Sequence, residues 1–305
     1  MPVHTTADVA VIGASFAGLS AALMLARARR RVVLVDEGLN RNRFASHSHG
    51  VLGLDGVSPD EIRARGLAEV LAYPTAGHLT GRVGSITGSA GAFIIEGPEM
   101  IRADRVILAY GQRDILPEIP GLVACWGITA NACPYCHGYE LADRTTGLLV
   151  SGPGFAHQAR HLSAWTDDLV YLENGHPVDD PGALDRPGLR RVAGRVAQVL
   201  HEAGVISGVV LADGAIVPMQ ALYLQGRFEP AAPFADDLGC AMTQIPAGRF
   251  VSVDMFQRTS IPGVFAAGDL TRSFASAPAA AAGGNMAGAA CNQDLLGLLP
   301  PPGGA

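Results

Sequence analysis

Residues 8–18 read DVAVIGASFAG, a short apolar run followed by a turn that begins and ends with glycine. An Ala- and Leu-rich stretch follows, so the segment predicts a strand, a tight turn and a helix. A second apolar run, residues 31–35, ends in Asp36 and Glu37. A strand, a helix and a second strand within about thirty residues are typical of a βαβ unit that binds a dinucleotide.

Several residues of this unit have roles that dinucleotide chemistry predicts. Gly13 permits the turn, Gly18 lets helix and strand approach, and the helix N-terminus offers unpaired N–H groups to a pyrophosphate. An acid at the tip of the second strand can accept hydrogen bonds from ribose hydroxyls. A Gly-rich turn of this kind also arises by chance, and the motif leaves open whether the nucleotide is FAD or NAD(P). The cofactor-binding residues predicted from this unit are Gly13, Ala14, Ser15, Ala17, Gly18, Asp36 and Glu37.

A second part of the same site is predicted far downstream. Residues 261–269 read IPGVFAAGD, a turn and a short buried strand, and a helix candidate starts near Pro278. Proline suits the first turn of a helix, where its missing N–H leaves no bond unmade. The free N–H groups of that helix would face a flavin ring, Asp269 would accept from the ribityl chain, and residues 106–111 predict another strand of the site. The cofactor-binding residues predicted from these segments are Ala109, Gly111, Gly268, Asp269, Pro278 and Ala279.

Residues 132–140, ACPYCHGYE, are the chemically richest stretch. Two thiols separated by two residues can close a small disulfide ring, and this spacing lowers the pKa of a thiol enough to give a reactive thiolate. Cys133 and Cys136 are therefore predicted to be catalytic. A structural zinc site needs a second pair, which the other three cysteines do not form. Covalent haem attachment also uses C-x-x-C-H, and thioredoxin folds carry C-x-x-C after their first strand.

Composition limits the class of protein. The chain has 305 residues, 49% of them hydrophobic, and a net charge of −6 from 22 basic and 28 acidic residues. Its length predicts two domains, and its acidic balance argues against nucleic-acid binding. Five cysteines are too few for a disulfide framework. With no signal-like start and no stretch apolar enough to span a bilayer, the chain is predicted to be cytoplasmic, without membrane or nucleic-acid partners.

The order of the motifs, from Gly13–Gly18 through Cys133–Cys136 to Gly263–Asp269, resembles the low-molecular-weight thioredoxin reductase family over nearly the whole chain. In that family, both ends of the chain build an FAD domain. A smaller nucleotide-like domain that carries the C-x-x-C pair is inserted between them. The resemblance therefore implies FAD as the cofactor, no metal, and a homodimer.

The resemblance also implies a fold class and domain boundaries. The fold is an α/β fold of two Rossmann-like, three-layer domains. The discontinuous FAD domain comprises residues 1–111 and 244–305, and the inserted domain comprises residues 112–243. Further cofactor contacts are implied at Arg43, on the adenosine side, at His49, beside the flavin or the substrate, and at Val83.

The inserted domain departs from a thioredoxin reductase, which would bind NADPH there. Its glycine turn contains Gly152 and Gly154 but ends in the bulky His157, and Glu173 after the next strand would repel a 2′-phosphate. The arginine-bearing segment that holds this phosphate in the family is missing. NADP(H) is therefore a doubtful cofactor, and the two glycines are interpreted as relics of a nucleotide site.

The residue after the second cysteine is a second departure, because the reductases carry aspartate there and this chain has His137. Histidine takes a proton near neutral pH, which suits a base that deprotonates incoming dithiols. A plain hydrogen bond to a loop carbonyl is the alternative. The stretch CPYCHGYE also resembles the dithiol oxidases that close the disulfides of gliotoxin, holomycin and romidepsin, which keep FAD and the cysteine pair.

The predicted function is therefore an FAD-dependent dithiol oxidase with Cys133, Cys136 and His137 as catalytic residues. It would form an intramolecular disulfide in a small natural product and pass the electrons to molecular oxygen. One alternative is a thioredoxin reductase-type enzyme that uses NADPH or ferredoxin to reduce a protein disulfide. Another is a flavin-binding protein that sequesters a reactive dithiol without turnover.

Overall fold

The computed structural model of the chain describes residues 5–152, 155–178 and 180–300. Gly154, predicted to be part of a relic nucleotide turn, lies outside these described residues. The chain divides into two compact units. Unit 1 holds the chain up to Arg43, Ser58–Arg113 and the chain from Phe228 onward, and unit 2 holds Phe44–Val57 and Asp114–Arg227.

The strands and helices are numbered in chain order. The strands are β1 Thr5–Ile12, β2 Val32–Asp36, β3 Ala76–Thr80, β4 Ser85–Thr87, β5 Phe93–Glu96, β6 Met100–Leu108, β7 Gln112–Ile115, β8 Ala130–Asn131, β9 Thr146–Leu149, β10 Leu169–Leu172, β11 Leu189–Val192, β12 Val196–Glu202, β13 Val205–Leu211, β14 Ile216–Pro218, β15 Ala221–Leu224, β16 Arg227–Pro230, β17 Met242–Ile245, β18 Gly248–Val251 and β19 Val264–Ala266. The α-helices are α1 Phe16–Arg27, α2 Pro59–Leu71, α3 Leu122–Cys125, α4 Pro134–His137, α5 Phe155–Leu162, α6 Phe234–Asp237 and α7 Ala277–Leu295. The 3₁₀-helices are Pro181–Leu184 and Gly268–Thr271.

Unit 1 is built on a seven-stranded sheet of order β3-β2-β1-β6-β5-β4, with β19 paired to β6. Strands β1, β2, β3, β6 and β19 run parallel, whereas β4 and β5 are antiparallel to their neighbours. Because side chains alternate along a strand, Val9 and Val11 of β1 face one core, and Ala10 and Ile12 face another. Helices α1 and α7 cover the first face.

Helices α1 and α7 pack at backbone distance. A Cβ atom added at Gly284 would overlap the carbonyl oxygen of Ala17, and one added at Gly288 would lie 2.5 Å from that of Ala21. Glycine is therefore required at these two positions, because even an alanine would push the helices apart.

Unit 2 contains a five-stranded parallel sheet of order β11-β10-β9-β15-β8 and a three-stranded antiparallel sheet of order β12-β13-β14. Phe155 and Ala159 of α5 share a core with one face of the parallel sheet. Val199 and Val209 of the antiparallel sheet share a core with its other face. Both units are thus layered α/β structures, and the predicted fold class is confirmed.

The structure divides the chain differently from the predicted domain boundaries. The predicted crossing at Gln112 lies within two residues of the observed one, but the chain is already back in unit 1 at Phe228, not at residue 244. The reason is that Phe234 and Cys240 are buried in the same core as β6. Residues 44–57, predicted to lie in the FAD domain, instead belong to unit 2.

Candidate functional site

The turn between β1 and α1 is a cradle for phosphate. Gly13 has a φ of +103°, and a Cβ atom added there would lie 2.5 Å from the carbonyl oxygen of Ala109. A Cβ atom at Gly18 would overlap the carbonyl oxygen of Gly13. Ser15 caps α1 through its extended backbone and makes no side-chain capping bond within the described chain. The first N–H groups of α1 are therefore directed to the space where a pyrophosphate would bind.

Asp36, at the end of β2, helps to hold this turn in place. Its Oδ1 accepts from the Ala14 N–H at 3.1 Å, and its Oδ2 accepts from the Gly38 N–H at 3.1 Å and from Arg63 Nη1 at 2.9 Å. The carboxylate thus fixes the geometry of the cradle in addition to its predicted role toward ribose. Glu37, next to it, is exposed.

Asp269 lies beside residues that the motifs did not reveal. Its Oδ2 is 3.1 Å from Nη1 of Arg41, which also approaches Oε1 of the buried Gln112 at 3.3 Å. The Gln112 amide donates to the Arg272 carbonyl at 3.1 Å. Arg41 and Gln112 stand outside any recognisable motif, which is why they were missed.

Four of the residues predicted to contact the cofactor do not present a free N–H group or a free side chain for a direct contact. The Ala279 N–H is not free, because it donates to the Ser276 hydroxyl at 3.3 Å, and Pro278 beside it has no N–H. Val83 is buried in the hydrophobic core of unit 1. Arg43 is exposed and donates to the Leu39 and Asn40 carbonyls. Gly111 and Gly268 have positive φ values of +72° and +78°, and a Cβ atom added at Gly268 would lie 2.7 Å from that of Ala17.

Unit 1 also leaves buried polar atoms without hydrogen-bond partners among the described residues. Such atoms are rare in folded proteins and indicate a bound ligand or water. The cradle, which any added Cβ would fill, and these unpaired atoms fit a large polar cofactor such as FAD. The atoms are Asn40 Oδ1, Arg63 Nε, His78 Nε2, Gln257 Oε1 and Arg272 Nε.

Cys133 and Cys136 form a disulfide in unit 2, with their Cα atoms 5.3 Å apart. Cys133 is the N-cap of α4, and Pro134 opens the helix at a position where its missing N–H is harmless. Both cysteines are partly exposed, as a pair that meets a substrate must be. The short helix brings His137 one residue beyond the disulfide.

A cavity of about 350 Å³ lies next to this helix within unit 2. Its volume is in the range of small-molecule sites. His137, Glu140 and His49 provide its titratable groups, and His49 Nε2 is 3.4 Å from Glu140 Oε1. His49 was predicted as a cofactor contact, and the structure groups it with His137 in unit 2. The remaining lining residues are Phe44, Ser46, His47, Gly127, Ile128 and Leu141.

Burial lowers the pKa of His137 below its usual value, while the nearby Glu140 carboxylate opposes this effect and His49 adds to it. His137 is therefore a neutral imidazole at neutral pH. A neutral imidazole can accept a proton, so His137 has the protonation state that a base beside the disulfide needs.

Tyr135, one of the two residues between the cysteines, belongs to an aromatic cluster. The Tyr135 ring lies 5.3 Å from that of Trp165 and 5.2 Å from that of His161. The Trp165 ring also packs on Gly138, where an added Cβ would lie 2.7 Å from it. This cluster braces the loop that follows the disulfide, and sequence spacing alone did not indicate it.

The model of the family described as "Pyridine nucleotide-disulphide oxidoreductase" matches residues 7–156 and 188–284. The chain belongs to this family. It is therefore an oxidoreductase and a flavoprotein, and the resemblance to thioredoxin reductases is confirmed. A protein named thioredoxin reductase sirT, from Leptosphaeria maculans, is 31% identical over 95% of this chain and 94% of its own length.

Solved structures extend this likeness to the fold of the oxidoreductase. The crystal structure of an oxidoreductase from Agrobacterium tumefaciens is 40% identical, with a TM-score of 0.90 over 96% of this chain and 99% of the other. The crystal structure of HlmI is 35% identical, with a TM-score of 0.89 over 97% of this chain and 96% of the other.

In the nucleotide-like turn of the oxidoreductase, the structure places two residues differently from what the sequence motif suggests. His157 is exposed on α5, and Ala156 is the residue buried toward the sheet. His157 is therefore not the steric obstacle that its position in the motif suggested. Glu173 follows β10 as expected, but its carboxylate is paired with Arg191, whose Nη2 lies 2.7 Å from Oε1.

The other cysteines of the oxidoreductase, Cys125, Cys240 and Cys291, are free and buried. Burial raises the pKa of each thiol, so none is a ready nucleophile. Within the described residues, no helix has both the length and the apolar character needed to cross a membrane.

Proposed function

We propose that the protein is an FAD-dependent dithiol oxidase that closes an intramolecular disulfide in a small molecule, with molecular oxygen as the electron acceptor. The observation that carries this proposal is the neutral His137 imidazole, placed beside the Cys133–Cys136 disulfide and on the wall of a cavity of about 350 Å³. Oxidation of a dithiol releases protons, and a neutral base at this place accepts them. A cavity of this volume suits a small-molecule substrate better than a protein substrate.

The proposed reaction proceeds by two thiol–disulfide exchanges. A substrate thiolate attacks Sγ of Cys133, the S–S bond to Cys136 breaks, and Cys136 leaves as a thiolate. The second substrate thiol gives its proton to His137 and attacks the substrate sulfur of the mixed disulfide. That S–S bond breaks, the cyclic disulfide leaves, and the cysteine pair remains reduced by two electrons.

The residues of unit 1 would hold the FAD that the family assignment implies. The α1 cradle at Gly13 and Gly18 would bind its pyrophosphate, and Asp269 with Arg41 would lie toward its polar chain. When bound, FAD would supply a two-electron acceptor for the reduced cysteine pair, with molecular oxygen as the proposed final acceptor. By analogy with the family, Cys136, the cysteine next to His137, would carry the sulfur that lies nearer the cofactor.

The same proposal covers the use of a pyridine nucleotide, the cellular location and the oligomeric state of the protein. The inserted domain lacks the arginine-bearing segment that holds a 2′-phosphate in the family, and Arg191 is already paired with Glu173, so NADPH is not the electron donor of this proposal. The protein would work in the cytoplasm as a homodimer, which size-exclusion chromatography with light scattering tests.

Oxygen uptake decides between oxidase and reductase. The FAD-loaded protein should consume oxygen with dithiothreitol and other small dithiols, and it should not oxidise NADPH in the presence of oxidised thioredoxin. Rapid NADPH oxidation with thioredoxin, combined with no oxygen uptake with any dithiol, would overturn the proposal. Anaerobic reduction of the flavin by reduced ferredoxin, and not by dithiols, would favour the ferredoxin-dependent reductase. Tight dithiol binding without turnover would favour a sequestering protein.

His137→Gln should lower the rate of dithiol oxidation by about 10²-fold, in the range that general bases contribute. In the wild type, only the neutral imidazole accepts a proton. The rate therefore falls as the pH drops through the His137 pKa, which burial places below its usual value. In the variant, the rate should no longer fall through this protonation. Between about pH 5 and 8, where histidine titrates, the rate of the variant should depend only on the ionisation of the substrate thiols. An unchanged pH profile would contradict a base role for His137.

A further inference from the structure

Glu140 interacts with both histidines of the cavity. It lies three residues after His137 and raises the pKa of that imidazole, and its Oε1 is 3.4 Å from Nε2 of His49. Nδ1 of His49 is in turn 3.6 Å from Oδ1 of Asp55. Both are ion-pair separations, and the His49 imidazole lies between the two carboxylates.

The loop that carries His49 is held in a defined shape. The Ser48 N–H donates to the Val57 carbonyl at 2.9 Å, the Gly56 N–H donates to the Ser48 carbonyl at 2.9 Å, and the Gly50 N–H donates to Asp55 Oδ1 at 2.8 Å. Asp55 is therefore fixed beside His49, with 68% of its side chain exposed to solvent. The groups His137, Glu140, His49 and Asp55 thus form a series that begins at the half-buried His137 and ends at solvent.

Other groups also face this sequence of residues. His47 lines the same cavity, with its ring centroid 6.4 Å from that of His49. Tyr223 of β15 is buried, its hydroxyl has no hydrogen-bond partner among the described residues, and Glu140 contributes to raising its pKa. An unpaired buried hydroxyl close to a carboxylate is a place for an ordered water. Glu140 is thus within electrostatic reach of groups from α4, from the 44–57 loop and from β15.

We propose that Glu140, His49 and Asp55 form a proton relay that carries the proton taken up by His137 from the active site to solvent. The proposal rests on the dithiol oxidase function, and it makes Glu140 and His49 positioning residues for the His137 base. Glu140 stabilises the His137 imidazolium, and the proton then passes toward His49 and leaves at Asp55. Only protons move in the relay, since no bond between heavier atoms forms or breaks.

Glu140→Gln keeps the shape of the side chain but removes its charge. The His137 pKa should then fall, because the carboxylate that raises it is gone. The rising limb of the rate against pH should move to lower pH. The plateau rate for dithiothreitol oxidation should drop about tenfold, less than loss of the base itself costs, because the path that carries the proton away from His137 is interrupted. Glu202→Gln, at an exposed glutamate at the end of β12, is the matched control and should change neither quantity.

His49→Gln should move the His137 pKa in the opposite direction, upward, because His49 lowers it in the wild type. The limb should move to higher pH, and the plateau rate should again fall about tenfold, because the same proton path is interrupted. His157→Gln, at an exposed histidine of α5, is the matched control. Far-UV circular dichroism and flavin content confirm that each variant is folded.

The His137 pKa is read directly by NMR titration of the imidazole in the oxidised protein, assigned by its loss in His137→Gln. Shifts of opposite sign in the two variants, with both plateau rates lowered, support the relay. Shifts of equal sign, no shift, or a lower plateau with an unmoved limb would overturn it. The titration needs no turnover. A wild type that fails to oxidise dithiols would therefore refute the proposed function and leave the electrostatic test of the relay readable.

Discussion

Cys136→Ser is expected to lower dithiol oxidation by about 10³-fold or more, as loss of one member of a catalytic unit does. A single thiol holds no disulfide for the substrate thiolate to attack, so neither exchange begins and no cyclic disulfide forms. Cys133→Ser should be equally inactive. Oxygen uptake with dithiothreitol measures the loss, and anaerobic dithiothreitol should bleach the flavin of the wild type but of neither variant.

Reaction with 5,5′-dithiobis(2-nitrobenzoate) separates the roles of the two cysteines. If Cys133 is the sulfur that meets substrate, reduced Cys136→Ser should release thionitrobenzoate faster than reduced Cys133→Ser. Cys125→Ala, at a buried free cysteine of the same unit, should keep wild-type turnover. Activity of more than a few per cent in either serine variant would show that the disulfide is not the reaction centre.

Gly13→Ala is expected to abolish FAD binding and to destabilise the protein. The alanine would have to adopt a φ of +103° and place its Cβ 2.5 Å from the Ala109 carbonyl oxygen. Backbone strain and overpacking together cost about 3 kcal/mol. This corresponds to a decrease in melting temperature of about 10 °C for a unit of this size. Absorbance of the bound flavin and thermal unfolding measure the two effects.

Gly91→Ala is the control for this substitution. Gly91 also has a positive φ, +88°, but no heavy atom lies within 4 Å of an added Cβ. The control therefore suffers the backbone strain without the clash, and it should keep stoichiometric FAD. If Gly13→Ala binds FAD as the control does, the turn at β1 is not the pyrophosphate cradle.

The parts of the fold that the sequence predicted are those with a local physical cause. The strand, turn and helix of residues 5–27 follow from apolar spacing and from glycine at Gly13 and Gly18, whose neighbours are already close in sequence. The disulfide between Cys133 and Cys136 likewise needs only its own short helix.

The parts that were missed depend on contacts between distant segments. Residues 44–57 carry no periodic pattern, and only the approach of His49 to Glu140 and of Phe44 to Gly127 places them in unit 2. The return to unit 1 at Phe228 is decided by burial of Phe234 against strands far upstream. The sequence predicts a free N–H group at Ala279, but this group donates to the hydroxyl of Ser276, which caps α7. Serine three residues before an N–H group of the first helical turn is a common capping signal.

The close packing of α7 on α1, together with the pairing of β19 with β6, sets the order in which the chain can fold as it is made. The first strand and helix emerge from the ribosome early, but the partners that bury α1 are near the other end of the chain. The long segment Asp114–Arg227 of unit 2 is contiguous and is complete well before that. During synthesis, unit 1 therefore keeps an exposed apolar helix face until β19 and α7 have been made, and its folding depends on these late residues.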